Sequence, residues 1–178
     1  QTNIPAVIEH NEHTTFQVHT RNSNQNKFTS QVTYTLAAIT ETLQPEKPWA
    51  KTDTLVSHNR YLIDSKTKKT IYTNSINTNN DSILKLPDLK KLPSGRYELT
   101  ASCIAPNGDT IMSINNFILF NKAEKDMPIA EHLWVHLLQN RATPGETIDL
   151  IIGTKIKGAK LLFEIEQDGQ ILQREWLS

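Results

Sequence analysis

The chain has 178 residues, of which 37% are hydrophobic and 21% are charged, a composition typical of a folded globular protein rather than a disordered chain. Nineteen basic residues balance nineteen acidic ones, so the charge does not favour a nucleic-acid partner, which requires a basic surface. One cysteine excludes an internal disulfide and a cysteine-based zinc site, and the longest apolar runs are too short to cross a bilayer, so we expect a soluble segment without membrane insertion.

Apolar and polar residues alternate through most of the first 121 residues, which is the pattern of half-buried β-strands. The alternation predicts strands at 15–20, 31–36, 60–64, 69–73, 96–105 and 110–120. The polar residues 65–68 predict the turn of a hairpin, and Asn107 and Gly108 predict another turn before the last strand. The inward positions on strand 96–105 are Tyr97, Leu99, Ala101 and Cys103. Residues 1–121 therefore predict a seven-stranded antiparallel β-sandwich.

Three segments interrupt this alternation. Residues 41–58 contain two prolines and several charges, so we expect a surface crossover anchored by Trp49. Residues 74–82 are polar and rich in asparagine, which indicates a loop or a sheet edge. Residues 122–130 are charged and contain Pro128, and we interpret them as a linker between two domains.

The last part of the chain, 131–178, predicts a second β domain. Strands are expected at about 132–138, 146–152, 160–166 and 170–177. Asp168 and Gly169 predict a tight hairpin between the last two. Four strands make half a sandwich and leave an apolar face open, so we expect an incomplete domain, cut from a longer protein and covered by the first domain or by a neighbouring molecule.

Two groups of histidines raise the question of a metal site. On a helix, His132 and His136 would share a face, but the segment alternates as a strand. The predicted inward residues are Leu133, Val135 and Leu137, and the outward ones are His132, Trp134 and His136. Residues 9–13 (EHNEH) offer four potential ligands, yet such a cluster is typical of a solvated lead-in. We therefore predict neither a metal site nor a cofactor.

Other residues that could carry chemistry have simpler structural interpretations. Cys103 lies within an apolar strand face, where cysteine acts as a small hydrophobic side chain. Trp134 and Trp176 could stack on a sugar, but single tryptophans in β-sandwiches are typically anchors in a core or between domains. Asn80 begins a formal glycosylation sequon. The sequence contains neither a nucleophile elbow nor a phosphate-binding glycine loop, so we predict no catalytic or cofactor-binding residues and no enzyme activity.

A proline-glycine-glutamate turn opens the strand ETIDLIIG in the second predicted domain. Pro144 fixes φ, and Gly145 permits a sharp change of direction. The hairpin AKLLFEIEQDGQILQREWLS follows. This succession resembles the macroglobulin-type domains of the alpha-2-macroglobulin family, especially its large bacterial members. LPSGRYELTASCIAPNGDTIMSINNFILF at 92–120 is similar to the closing strands of such a domain, and 16–36 is similar to its opening strand pair.

The resemblance implies an immunoglobulin- or fibronectin-III-like macroglobulin domain at 1–121 and the first part of another at 131–178. Family members are large, multidomain proteins that entrap proteases, and many carry a Cys–Gln thioester in a C-x-E-Q motif. Cys103 is followed by Ile-Ala-Pro, so that chemistry is not implied for it. The resemblance thus implies a non-catalytic scaffold segment in a bacterial cell envelope, in the periplasm or tethered at the outer surface. Its implied partners are neighbouring macroglobulin domains and, through the parent protein, proteases.

Two alternatives remain open at this stage. A carbohydrate-binding or adhesive module would need Trp49, Trp134 and Trp176 to be exposed along one surface. A β-sandwich hydrolase would need distant residues to converge in space as a carboxylate pair or a triad.

Overall fold

The computed structural model describes residues 2–12, 14–22, 24–45, 61–80, 82–139 and 141–178. Over these residues the protein is all-β, with one short 3-10 helix at Leu89–Lys91 and no α-helix. The strands are β1 (Thr2–Asn3), β2 (Val7–Glu9), β3 (Gln17–Val18), β4 (Gln31–Pro45), β5 (Tyr61–Asn77), β6 (Gly95–Ile104), β7 (Thr110–Phe120), β8 (Trp134–Leu137), β9 (Leu150–Gly153), β10 (Leu161–Gln167) and β11 (Gln170–Leu177). The chain divides into two compact units, Gln1–Ala130 and Glu131–Ser178, called the first unit and the second unit below.

A five-stranded sheet in the order β2-β7-β6-β4-β5 forms the frame of the first unit. The pairs β4–β5, β4–β6 and β6–β7 are antiparallel, whereas β2 runs parallel to β7, with Val7 opposite Ile118. The prediction that all strands of 1–121 are antiparallel is therefore wrong for β2, because alternation in the sequence does not indicate which strand pairs with which or in which direction. The short strands β1 and β3 pair with each other, and Gln17 of β3 bridges to Ile83.

The core of the first unit lies on one face of this sheet. Successive side chains of a strand alternate between its faces, so β6 directs Tyr97, Leu99 and Ala101 to the same side. Their exposed fractions are 1%, 0% and 5%, which confirms the inward face predicted for this strand. The cluster that they join also contains Phe16, Val18 and Leu84, so the segments around β3 and Ile83 cover the sheet. Cys103 packs against the cluster but is only partly buried.

The turn predicted at 65–68 is wrong, because β5 runs unbroken from Tyr61 to Asn77. Residues 65–68 pair with β4, from Thr42 opposite Ser65 to Ile39 opposite Lys68. A strand at a sheet edge with few apolar side chains gives no alternating signal, and its polar run therefore resembles a turn. The interpretation of 74–82 as a loop or edge covers the end of β5, which is the edge strand, and the turn at 78–80.

The surface crossover predicted at 41–58 is wrong at its start. Residues 41–45 continue β4, and their pairing with β5 extends past the last residue that β4 pairs with β6, Ile39. The rest of that segment, including Trp49, lies outside the described residues. The segment 122–130 lies within the first unit, where Ile129 is buried and the Pro128 carbonyl lies 3.8 Å from the position of a Cβ on Gly95.

The second unit consists of two antiparallel hairpins, β8–β9 and β10–β11. Asp168 and Gly169 both have positive φ, 52° and 76°, as a two-residue hairpin turn requires, so the predicted turn is confirmed. A bulge interrupts the pairing of β10 with β11 between Ile165 and Glu166.

The faces predicted for β8 are reversed. Trp134 is 7% exposed and His136 is partly buried, whereas Leu133, Val135 and Leu137 are each about half exposed. The prediction assumed that apolar side chains lie inside, which holds only where a second layer covers them. No such layer covers these three side chains among the described residues.

Candidate functional site

The Pro-Gly-Glu turn closes on itself through two hydrogen bonds. The Glu146 N–H donates to the Thr143 carbonyl at 3.0 Å, and the Thr143 N–H donates to the Glu146 carboxylate at 2.7 Å. The backbone bond from Thr143 lowers the pKa of the Glu146 carboxyl. Gly145 between them has a φ of 96°, which favours glycine. The strand predicted at 146–152 is wrong for 146–149, because β9 begins only at Leu150. The contacts within the turn give it an architectural role in the segment that leads to β9.

A comparable self-bonded corner opens β6 in the first unit. The Tyr97 hydroxyl donates to the Pro93 carbonyl at 2.6 Å, and its ring stacks on Phe117 with centroids 5.6 Å apart. Burial raises the pKa of Tyr97 to about 12, so the phenol stays protonated and remains a donor at physiological pH. This tyrosine therefore fixes the corner before β6.

Tyr34 connects the large sheet to the segment that covers it. Its hydroxyl donates to the Lys85 carbonyl at 3.1 Å and accepts from the Lys85 N–H at 3.0 Å. Burial raises the pKa of Tyr34, so the hydroxyl stays protonated and can both donate and accept a hydrogen bond. The two tyrosines were missed as polar anchors because the sequence pattern marks them only as apolar strand positions.

Two ion pairs cross the face of the sheet opposite the core. Arg96 Nε lies 3.1 Å from a carboxylate oxygen of Glu41, whose side chain is 3% exposed. Lys68 contacts the carboxylate of Glu98, which also accepts from the Thr100 hydroxyl at 2.8 Å. The hydrogen bond from Lys68 lowers the pKa of Glu98. The pair of Arg96 with Glu41 joins the neighbouring strands β6 and β4, whereas the pair of Lys68 with Glu98 joins β5 to β6 across the intervening β4.

The potential ligands in the segment 9–13 do not gather at one site, and those that the structure describes make separate structural contacts. Glu9 pairs with Lys122 at 3.7 Å, and its N–H donates to the Glu12 carboxylate at 3.3 Å. His10 is 8% exposed, and its backbone N–H donates to the Phe120 carbonyl at 2.9 Å. His13 lies outside the described residues, and within them no three His, Cys, Asp or Glu side chains gather as metal ligands.

An open cleft of about 570 Å³ lies between residues 10–16 and 83–90. Both acidic and basic side chains line it: Glu12, Lys85, Asp88 and Lys90. Glu12 and Asp88 accept bonds from backbone N–H groups of Glu9 and Lys90, at 3.3 and 3.2 Å. The carboxylates therefore hold local backbone, and the lining favours no single ligand charge.

His132 and His136 do not share the face of a helix, because His136 lies on the strand β8 and His132 precedes it. The His136 ring stacks on Trp134 with centroids 5.7 Å apart, and the His132 carbonyl accepts from the Thr154 hydroxyl. The strand prediction is confirmed for 134–137. Asn80 is exposed in the turn after β5.

The three tryptophans do not share one exposed surface among the described residues. Trp134 is buried, Trp176 is 67% exposed, and Trp49 lies outside the described residues. Trp176, for which a role as an anchor in a core or between domains is predicted, lies opposite Leu162 on the β10–β11 hairpin.

Comparison with family models, curated proteins and solved structures gives no match to this chain. In the part of the chain that the structure describes, no helix has the length and apolar character needed to span a bilayer.

Proposed function

We propose that this chain is a non-catalytic structural segment of a large bacterial protease-trapping protein of the alpha-2-macroglobulin type, located in the cell envelope, in the periplasm or tethered at the outer surface. One observation carries the proposal: in both units, residues on which the resemblance rests make hydrogen bonds that hold the local backbone in place. Tyr97 bonds back to Pro93 at the start of β6, and Glu146 bonds back to Thr143 before β9. Turns and corners of this kind position strands, as a scaffold requires.

The Tyr97 corner also supports the finer fold, an immunoglobulin- or fibronectin-III-like macroglobulin sandwich at 1–121. In such sandwiches a tyrosine near the start of a late strand bonds to backbone a few residues upstream. Tyr97 stands third in β6 and bonds four residues back. By the same proposal, 131–178 is the first part of a second domain of this type.

Neighbouring macroglobulin domains are the partners that this proposal assigns to the segment itself. Support comes from the second unit, where two hairpins leave nine large apolar side chains exposed. Isolated two-stranded hairpins are at best marginally stable in water, so further covering structure is favoured. Proteases are assigned as partners of the parent protein, through regions other than this one.

The test uses the full-length parent protein. Its intact mass and free-thiol count are measured before and after methylamine, and its electrophoretic mobility is measured after exposure to a general protease. A methylamine adduct with one new thiol and covalent protease capture indicates a thioester trap. A large mobility shift without an adduct indicates a trap that works without a thioester. If neither response occurs, the proposed function is wrong.

The same protease with its active site blocked is the matched control. Trapping begins with cleavage, so the blocked protease is expected to cause neither a mobility shift nor capture. A trapped protease should also retain activity on small peptides while losing activity on large proteins, because enclosure excludes only large substrates. Equal loss of activity on small peptides and on large proteins would indicate ordinary active-site inhibition and would contradict trapping.

A carbohydrate-binding or adhesive module is the second candidate, and the exposure of Trp176 favours it. Binding of the chain to a panel of soluble polysaccharides is measured by isothermal titration. Binding that disappears in Trp176→Ala and persists in Leu133→Ala would support this candidate. Absence of binding to every polysaccharide would remove it.

A further inference from the structure

A groove of about 420 Å³ opens on the first unit and shares no lining residue with the cleft between residues 10–16 and 83–90. The residues 18–20, 27–29, 78–80 and Ser82 line it, so three separate segments of the chain meet there. Its volume lies in the range of small-ligand sites, which measure about 300–1,000 Å³. The groove is therefore large enough to hold a small organic molecule.

Hydrogen bonds fix the floor of the groove before any ligand enters. The Thr20 hydroxyl donates to the Phe28 carbonyl and lies 3.2 Å from the Thr78 hydroxyl. The Phe28 N–H donates back to the Thr20 carbonyl at 3.2 Å. The Val18 N–H donates to the Ser82 carbonyl at 2.8 Å. Because these bonds tie the three segments together, a ligand does not have to order them, which lowers the cost of binding.

The rim of the groove carries amides and hydroxyls that the protein itself does not use. In the part of the chain that the structure describes, no other residue hydrogen-bonds to the side chains of Asn79, Asn80, Thr29 and Ser82. The first three are exposed, and Ser82 is partly buried. An amide offers a donor and an acceptor side by side, and a hydroxyl can act as either. The rim can therefore bind a ligand that has several donors and acceptors of its own.

Charge and apolar surface narrow the class of ligand. Lys27 is the one charged side chain among the described residues that line the groove, whereas four charged side chains line the cleft. Phe28 also lines the groove and is partly exposed, so it offers an apolar surface beside the amides. A saccharide matches this combination, because its hydroxyl groups both donate and accept hydrogen bonds and its C–H groups pack on an aromatic ring.

We infer that this groove is a carbohydrate site, and that its ligand is a sugar ring of a neutral saccharide. The Asn79 and Asn80 amides bind sugar hydroxyls, and Phe28 contacts the sugar C–H groups. With few contacts to a single ring, binding is weak, with a Kd on the order of 1 mM. The site belongs to the first unit alone, so it depends neither on protease trapping by the parent protein nor on Trp176.

The test is a titration of the isotopically labelled 178-residue chain with glucose, galactose, mannose and N-acetylglucosamine, followed through the NMR shifts of the backbone amides. At least one sugar is expected to shift the amides of 18–20, 27–29 and 78–80 in a saturable way, while those of 85–90 do not change. Asn80→Ala and Thr29→Ala should each raise the Kd about threefold to tenfold, as the loss of one hydrogen bond does. Because both side chains are exposed, the far-ultraviolet circular dichroism of both variants should match that of the parent chain.

Thr15→Ala is the matched control for Thr29→Ala, since Thr15 is an exposed threonine that lines the cleft and not the groove. This variant and Trp176→Ala are expected to bind the sugar as the parent chain does. The absence of a saturable shift with all four sugars would overturn the inference, as would binding that neither Asn80→Ala nor Thr29→Ala weakens. Binding that is lost in Trp176→Ala alone would place the sugar on the second unit and overturn it as well.

Discussion

The two units use the same strand-forming pattern but differ in what covers their strands. Among the described residues, sixteen of the seventeen buried hydrophobic side chains lie in the first unit, and Trp134 alone lies in the second. Nine of the fifteen exposed large hydrophobic side chains lie in the second unit, although it spans only residues 131–178. Alternation and turn residues therefore predict where hairpins occur, whereas a closed core also requires a second layer of structure.

The largest expected difference between the units comes from truncating a leucine in each. Leu99 is fully buried, so Leu99→Ala should lower the free energy of unfolding of the first unit by about 2–5 kcal/mol through lost burial and a cavity. Leu172 is 61% exposed, so Leu172→Ala should cost less than about 0.5 kcal/mol. Urea unfolding of both variants checks this. Equal losses of unfolding free energy in the two variants would contradict the difference in burial between the units.

A backbone substitution should affect the second unit alone. Gly145 has a φ of 96° and an open position where a Cβ would lie, so Gly145→Val meets no clash but forces a side chain into a strained conformation. The expected cost is about 1–2 kcal/mol. Hydrogen exchange of the β8 and β9 amides should accelerate, while that of β6 should not change. Ala142→Val is the control on the same exposed segment and should have no effect.

The smallest effect is a difference in pH dependence. Lys68 holds the pKa of Glu98 below its ordinary value of 4.5, so this carboxylate stabilises the folded state above that pH and loses its contribution as the pH falls through the folded pKa. Glu98→Gln should cost less than about 1 kcal/mol at neutral pH and nothing in strong acid. The midpoints of urea unfolding of the parent chain and of Glu98→Gln, at neutral pH and in strong acid, measure this loss of stability.

Glu164→Gln is the matched change in the second unit. The Glu164–Arg174 pair is more exposed than the Glu98 carboxylate, with side chains 37% and 58% exposed against 14%. Solvent screens such a pair, so its loss should change stability less than the loss of Glu98. A larger loss of stability in Glu164→Gln than in Glu98→Gln would mean that the ion pair on the exposed hairpin contributes more than its exposure predicts.

Local signals in the sequence predict the hairpin turns better than they predict which face of each strand is buried. Asn107-Gly108 and Asp168-Gly169 require positive φ at glycine, which depends on the backbone alone, and both turns form, with φ of 89° and 76° at the glycines. The inward side of β6 was also predictable, because a complete layer covers it. The edge strand β5 was not, since solvent on its outer edge allows a polar sequence such as residues 65–68 to remain extended.

The faces of β8 and the polar anchors depend on tertiary partners that a sequence pattern does not contain. Whether Leu133 or Trp134 is buried is decided by what lies over the strand and not by alternation itself. Likewise, the hydrogen bonds between Tyr34 and Lys85 and the ion pair of Arg96 with Glu41 join residues more than fifty positions apart. Such pairs become visible only once strand order and register are known.

The most direct test of the contrast between the units is urea unfolding of residues 1–130 and residues 131–178 as separate chains, each at a concentration low enough to be monomeric. The first chain contains a closed core and should unfold in one cooperative transition. The second chain, with Trp134 as its one buried hydrophobic residue among those described, should show no cooperative transition. A cooperative transition of monomeric 131–178, or its absence in 1–130, would contradict this account.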